Sequence, residues 1–170
     1  KLGNGKRTIV MLHGWGANRK SLDSVAKILA RKFTVINVDV PGFGESERPG
    51  DAWGLGEYSD WLFSFLRKLK LKPYALLGHS NGGAIAIKAV SSGLPVEKLI
   101  LLGASGIRSR EKGKRLLLKS VTKTGKAATA LLPTTVRKKV RGKWYKAIGS
   151  ELYDNPGMEK FFKKVTSEDL

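Results

Sequence analysis

One serine of the chain lies in a setting that could make its hydroxyl a nucleophile. Positions 78–83 read G-H-S-N-G-G, which fits the pattern G-x-S-x-G around Ser80. The pattern follows a strand-like apolar run at 74–77 and precedes a helix-like run, and a sharp turn between such elements exposes a serine hydroxyl. Gly78 and Gly82 flank the turn, because a side chain at either position would meet neighbouring backbone. The pattern therefore predicts nucleophilic chemistry at Ser80, beside the positive end of the following helix.

A second motif could supply hydrogen-bond donors to that chemistry. The apolar run 8–12 reads as a buried strand and ends in H-G-W-G at 13–16. Glycines at two of these positions allow a tight turn that presents backbone N–H groups. Acyl transfer needs such donors for the oxygen that becomes negative in the tetrahedral intermediate.

A third motif follows the next strand-like run, at 34–39. It reads D-V-P-G-F-G-E-S at 39–46, and its proline and glycines mark a loop with special backbone angles. Asp39 ends the strand, where it could be mistaken for a catalytic acid. We expect Asp39 to hold the loop by hydrogen bonds instead.

In this order and spacing, the three motifs resemble the α/β-hydrolase family, and the resemblance covers about residues 7–106. It implies that Ser80 is the catalytic nucleophile. It also implies that the backbone N–H groups of Trp15 and Asn81 form the oxyanion hole. The residues expected to support this site are His13, Gly14, His79, Gly78 and Gly82.

The remaining pattern favours the same architecture. Candidate strands lie at 8–12, 34–39, 74–78 and 97–103, and candidate helices at 19–31, 56–70 and 82–92. Strands that alternate with helices imply a mostly parallel sheet flanked by helices, an α/β fold. Chemistry then gathers at the carboxyl ends of the strands. The resemblance makes this a partial α/β-hydrolase fold.

The sequence becomes strongly basic after residue 106. Residues 107–146 carry 14 Lys or Arg and a single acidic residue, with scattered apolar positions. We expect several short helices here and another helical piece near 150–164. We therefore divide the chain into a hydrolase core at 1–106 and, by the resemblance, a helical cap or lid at 107–170. The apolar cap residues expected to shape an acyl pocket include Leu117, Leu131 and Trp144.

Composition narrows the possible partners. The net charge of +18 could attract anionic substrates, membrane surfaces or nucleic acid, but we favour a lysine-rich solvated surface and expect no specific nucleic-acid binding. The chain has no cysteine, and no apolar run approaches the length of a transmembrane segment. We expect a cytoplasmic protein with a small acyl or ester substrate and with no cofactor or metal.

The general base is missing from this pattern. A serine hydroxyl needs a histidine to take its proton and a carboxylate to orient that histidine. The chain has two histidines, His13 in the oxyanion loop and His79 beside the nucleophile, and neither is a good base. We therefore expect a fragment that lacks the last core strands and the first two strands. A complementary C-terminal segment or second chain would bring Asp or Glu and His, and the fragment alone would be inactive.

Several activities fit these motifs. The leading interpretation is a serine hydrolase, esterase-like, that forms an acyl-enzyme intermediate. Hydrolysis of a carbon–carbon bond and perhydrolase chemistry use similar apparatus, whereas family members with an Asp nucleophile are disfavoured by Ser80. A hydrolase-like binding protein without turnover and a polyanion-binding module are the alternatives from other classes.

Overall fold

The computed structural model describes residues 1–105 and 157–168, and strands alternate with helices there as the sequence predicts. The elements are β1 (Thr8–Leu12), a 3-10 helix (Arg19–Leu22), α1 (Asp23–Leu29), β2 (Thr34–Val38), α2 (Leu55–Lys68), β3 (Ala75–His79), α3 (Asn81–Ser91), β4 (Lys98–Leu102) and α4 (Glu159–Ser167). Each predicted strand is present within one residue of its predicted ends. The α/β class is confirmed.

Internal contacts group the chain into two units. One consists of Lys1–Ile107 with Gly157–Leu170, and the other of Arg108–Pro156. The second unit lies outside the described residues, as does the acyl pocket predicted for the cap. The division into a core and a cap therefore stays a prediction.

The four strands form one parallel sheet in the order β2-β1-β3-β4. The chain runs from β1 to its neighbour β2 and then crosses back past β1 to β3. In open α/β sheets such a reversal opens a crevice at the carboxyl ends of the strands involved, here β1 and β3. Because Leu12 pairs with Gly78, the loops that follow these two strands emerge side by side.

The central strand β1 is covered on both faces, as a strand of a parallel sheet requires. Alternate β1 side chains point to opposite faces: Val10 and Leu12 belong to the cluster under α2 and α3, and Ile9 and Met11 to the cluster that includes Ala26 of α1. The tight packing of β1 between two layers fixes the position of the loop that begins at His13.

The first helix is shorter than predicted, and one of its apolar positions is misplaced. In a helix over 19–31, Val25 follows Leu22 by three residues and should share its buried apolar face, but Val25 is exposed whereas Leu22 is buried. The segment instead begins with a 3-10 turn at Arg19–Leu22 and continues as α1. Successive residues of an α-helix are rotated by about 100°, so a narrow buried face includes Ala26 and leaves the neighbouring Val25 outside it.

Strand β4 lies at one edge of the sheet within the described part of the chain. Its apolar side chains Ile100, Leu101 and Leu102 are each more than a third exposed. Because this run is too apolar for an open edge, we expect the complementary segment to cover it, and that expectation stays a prediction. Across the described ranges, no helix has the length and apolar character needed to cross a membrane.

Candidate active site

Ser80 occupies the junction between β3 and α3 in an unusual backbone conformation. Its φ is 49° and its ψ is −116°, outside the regions that non-glycine residues normally adopt. Such strain persists only where the surrounding structure holds it. Here the Ser80 N–H donates to the Leu102 carbonyl at 3.0 Å, and the Ser80 carbonyl accepts from the N–H groups of Gly83 at 2.9 Å and Ser105 at 3.0 Å. Strand β4 and helix α3 thus hold the turn from both sides.

Three glycines allow the first turn of α3 to lie directly against the sheet. A Cβ atom at Gly78 would lie 2.5 Å from the carbonyl oxygen of Gly82. One at Gly82 would lie 2.3 Å from the carbonyl oxygen of Leu12, at the end of β1. Gly83 has a similar role that the motif did not predict: a Cβ there would lie 2.6 Å from the Ala104 Cβ. A side chain at Gly82 would require α3 to move away from β1, one at Gly78 would push α3 away from β3, and one at Gly83 would displace the segment after β4.

The loop that follows β1 lies against the turn around Ser80. A Cβ at Gly14 would be 3.1 Å from the Ser80 Cβ and 3.0 Å from Nδ1 of His79. Within residues 1–105 and 157–168, the backbone N–H groups of Trp15 and Asn81 make no hydrogen bond. The structure therefore brings together the two loops predicted to carry the oxyanion donors, and no described residue accepts a hydrogen bond from either amide.

Both ring nitrogens of His13 form hydrogen bonds that hold this loop. Its Nδ1 lies 2.8 Å from the carbonyl oxygen of Gly14, and its Nε2 accepts from the Val40 N–H at 3.0 Å. A carbonyl can only accept, so the proton lies on Nδ1 and the ring is neutral. Burial lowers the pKa of His13, although the Gly14 carbonyl and Asp39 oppose that effect. The buried ring therefore links the end of β1 to the loop after β2 through hydrogen bonds.

Asp39 orders the loop after β2, as the sequence predicts. Its carboxylate accepts from the backbone N–H groups of Arg19 at 2.6 Å and Glu45 at 3.2 Å, and it also pairs with the Arg19 guanidinium. Its carbonyl oxygen accepts from the Ser46 hydroxyl at 2.7 Å. Burial alone would raise the pKa of Asp39, but these N–H groups and the guanidinium outweigh burial and lower it. The carboxylate is occupied by structural partners.

His79 is exposed and lies beside Gly14. Neither it nor any other described side chain hydrogen-bonds the Ser80 hydroxyl. Since His13 is committed elsewhere, neither histidine of the chain serves Ser80 as a base in this structure. Among residues 1–105 and 157–168, no three His, Cys, Asp or Glu side chains are grouped so that they could hold a metal ion.

The side chain of Trp15 contacts two aromatic rings that no sequence pattern predicts as its partners. Its indole ring packs edge-on against Phe43 at 4.9 Å and against Phe162 at 5.3 Å between centroids. Phe43 lies in the loop after β2 and Phe162 in α4, about 120 positions further along the chain. The helical spacing around Phe162 predicted an apolar position, but no pattern in the sequence indicated which loop it would meet.

Comparison with known proteins agrees with this arrangement. The sequence model of the alpha/beta hydrolase fold family matches residues 7–124. The chain belongs to this family.

Three similar proteins illustrate how much of the fold the chain spans. It is 37% identical over 107 residues to the AB hydrolase superfamily protein YisY of Bacillus subtilis, a match that covers 61% of this chain and 40% of that protein. It is 34% identical over 134 residues to a 1-acylglycerol-3-phosphate O-acyltransferase of Arabidopsis thaliana, covering 73% of this chain and 31% of that protein. The structure of MenH from S. aureus shares the fold, with a TM-score of 0.66 at 21% identity, and the match covers 98% of this chain and 69% of that one. The chain thus spans less than half the length of these two curated relatives.

Proposed function

We propose that the chain is the nucleophile-bearing part of a serine hydrolase that acts on a carboxylic ester or a related acyl compound. The observation that carries the proposal is the conformation of Ser80, a strained non-glycine residue between β3 and α3. Ser80 lies next to the loop that contains Trp15, and within the described ranges the N–H groups of Trp15 and Asn81 have no hydrogen-bond acceptor.

The chemistry follows from these groups. The Ser80 Oγ attacks the acyl carbonyl carbon and passes its proton to a base, and the carbonyl oxygen becomes an oxyanion held by the Trp15 and Asn81 N–H groups. Collapse of the tetrahedral intermediate releases the alcohol, protonated by the same base, and leaves an acyl-enzyme at Ser80. A water molecule then attacks this ester, and the carboxylic acid and the free serine are formed.

The base and its carboxylate partner come, in this proposal, from a complementary segment outside residues 1–170. Both nitrogens of the His13 ring are engaged, and His79 makes no hydrogen bond to Ser80. A histidine that lies within about 2.6–3.2 Å of the Ser80 Oγ would complete the site. Residues 1–170 alone should therefore show no significant esterase activity, and addition of the segment should restore turnover of short p-nitrophenyl esters.

The test of the nucleophile is labelling with a fluorophosphonate, followed by peptide mapping of the complete protein. We expect the label on Ser80, loss of labelling in Ser80→Ala, and normal labelling in Ser91→Ala, a serine whose hydroxyl bonds the Lys88 carbonyl. A label that persists in Ser80→Ala would exclude Ser80 as the nucleophile. Robust ester hydrolysis by residues 1–170 alone would contradict the proposed source of the base.

Acyl transfer is the second candidate function. The named acyltransferase of Arabidopsis is matched over 73% of this chain, which reaches beyond the core motifs. An alcohol acceptor in place of water would convert the same acyl-enzyme into a transferase. The discriminating measurement is the ratio of free acid to acylated acceptor when an acyl donor is supplied with 1-acylglycerol-3-phosphate. Free acid as the sole product at a saturating acceptor concentration would exclude transfer.

A further inference from the structure

Helix α4 is fixed to the start of α2 by polar contacts at its C-terminal end. The Lys164 ammonium pairs with the Glu57 carboxylate and donates to the Ala52 carbonyl at 3.2 Å. The Glu168 carboxylate, just after α4, accepts from the Leu55 N–H at 2.9 Å. Glu57 also accepts from the Gly54 N–H at 2.9 Å, which caps the helix. These contacts occupy N–H groups that the first turn of α2 would otherwise leave unpaired.

Apolar contacts hold the other end of α4 against the loop after β2. Met158 is buried, and a Cβ at Gly42 would lie 2.9 Å from its terminal methyl group. Phe161 and Val165 are buried in the same core cluster as Leu55 and Leu62. The helix is therefore held along its whole length, and the ring of Phe162 can act as a fixed surface.

The Phe162 ring contacts Trp15, which lies in the loop of the candidate oxyanion hole. The Phe162 ring meets the Trp15 indole edge-on at 5.3 Å, and Phe43 meets it from another direction at 4.9 Å. An aromatic pair of this geometry contributes about 0.5–1.5 kcal/mol beyond the burial of its area. The Nδ1–H of His13 donates to the Gly14 carbonyl, which belongs to the same peptide group as the Trp15 N–H. The position of the Trp15 N–H is thus set by His13 on one side and by the two phenylalanine rings on the other.

We propose that Phe162 is a positioning residue for the Trp15 N–H, so that α4 holds one oxyanion donor in place from outside the sheet. The proposal rests on the proposed function, because it assigns a role to a contact of the same site. Phe162 touches neither the substrate nor Ser80 in this role; it acts through the indole of Trp15.

The expected fall in rate on removal of the Phe162 ring can be bounded from the known cost of losing or displacing an oxyanion donor. Complete loss of an oxyanion donor costs about 100-fold to 1,000-fold in rate, and a misplacement of about 1 Å can cost about 100-fold. Removal of the ring contact leaves the amide in the loop but releases it on one side. We expect about a tenfold fall in the rate at which Ser80 reacts, within the range that a partial displacement allows.

The experiment compares three variants of the complete protein. Phe162→Leu removes the ring, Phe162→Tyr keeps it, and Phe161→Leu makes the same change at the adjacent buried position of α4, which has no ring contact with Trp15. For each we would measure the rate of fluorophosphonate labelling at Ser80. We would also measure the shift and hydrogen exchange of the Trp15 backbone amide in protein labelled with 15N-tryptophan.

We expect Phe162→Leu to slow labelling about tenfold and to perturb the Trp15 amide, while Phe162→Tyr and Phe161→Leu stay within about twofold of the parent protein. An unchanged amide and an unchanged rate in Phe162→Leu would overturn the proposal. An equal loss of rate in Phe162→Leu and Phe161→Leu would also overturn it, because general loosening of α4 would then explain both. If the parent protein does not label at Ser80, the proposed function fails, and the Trp15 amide alone decides whether Phe162 positions it.

Discussion

The close approach of α3 to β1 can be tested with a pair of glycine substitutions. Gly82 is the second residue of α3, and a Cβ there would lie 2.3 Å from the Leu12 carbonyl oxygen and 2.5 Å from that of His13. Both obstacles are backbone atoms, so they cannot rotate away. Gly56 is the second residue of α2, and a Cβ there would meet no atom within 4 Å. The two positions therefore share helix position and backbone type and differ in the space available.

The magnitude follows from that distance. Contacts of a Cβ under 3.0 Å are essentially never seen, so Gly82→Ala must push α3 and β1 apart by about 0.7 Å, from 2.3 Å to at least 3.0 Å. Overpacking of this kind costs about 1–3 kcal/mol of folding free energy. Gly56→Ala instead should stabilise by about 0.5–1 kcal/mol, because alanine loses less conformational freedom on folding than glycine in a helix.

Urea unfolding of both variants measures these values, and fluorophosphonate labelling measures the effect on the site. The shift in Gly82→Ala moves the Asn81 amide relative to the loop after β1, so labelling should slow by about 10-fold to 100-fold. Gly56→Ala should label at the parent rate. Equal free energies of unfolding for the two variants, or parent-like labelling in Gly82→Ala, would refute the packing argument and the arrangement of loops derived from it.

Three further predictions concern His13, Ser80 and the ion pair between Lys164 and Glu57. Because burial lowers the pKa of His13 below its ordinary value of 6.5, the unfolded chain takes up this proton first as the pH falls. The free energy of unfolding should therefore decrease below about pH 6.5, and urea titrations of His13→Asn should show a shallower dependence between about pH 5 and 7. Ser80→Gly should abolish labelling and yet raise the free energy of unfolding by about 1 kcal/mol, because glycine adopts a φ of 49° without strain; a destabilised Ser80→Gly would show that the conformation is not strained. Lys164→Met should lower the melting temperature at low salt and have a smaller effect at high salt, because the pair with Glu57 is partly exposed; a loss that does not depend on salt would assign the effect to packing.

Much of the site could be predicted because it is encoded in local sequence. The turn around Ser80 needs glycines at fixed offsets between a strand and a helix, and the collisions that a Cβ would cause at Gly78 and Gly82 are with backbone close by in sequence or on the adjacent strand. The role of Asp39 was also predictable, since a carboxylate at a strand end before a glycine-rich loop meets the N–H groups of that loop. The strands were found within one residue of their ends because buried parallel strands read as continuous apolar runs.

The rest depended on contacts between positions far apart in the chain. The packing of Phe162 on Trp15 and the bond between the Leu55 N–H and Glu168 join residues more than 110 positions apart, and no local pattern records such a pairing. The exposure of Val25 has a local cause. Successive helix residues are rotated by about 100°, so the buried face of α1 includes Ala26 and excludes Val25, and apolar spacing alone does not record how wide that face is.

The site is held by its surroundings rather than by a ligand. A residue in a conformation like that of Ser80 costs about 1–3 kcal/mol, and a hydrogen bond contributes about 0.5–1.5 kcal/mol on balance. Four backbone hydrogen bonds hold Ser80. Its N–H donates to Leu102 of β4, and its carbonyl accepts from Gly83 and Ala84 of α3 and from Ser105 after β4, so together they can offset the strain. Because these bonds belong to the sheet and to α3, the turn should keep its shape before any substrate or proton acceptor arrives. In the proposed function, a base from the complementary segment would then need to supply proton transfer alone, since the fold already fixes the orientation of Ser80 and of its neighbouring amides.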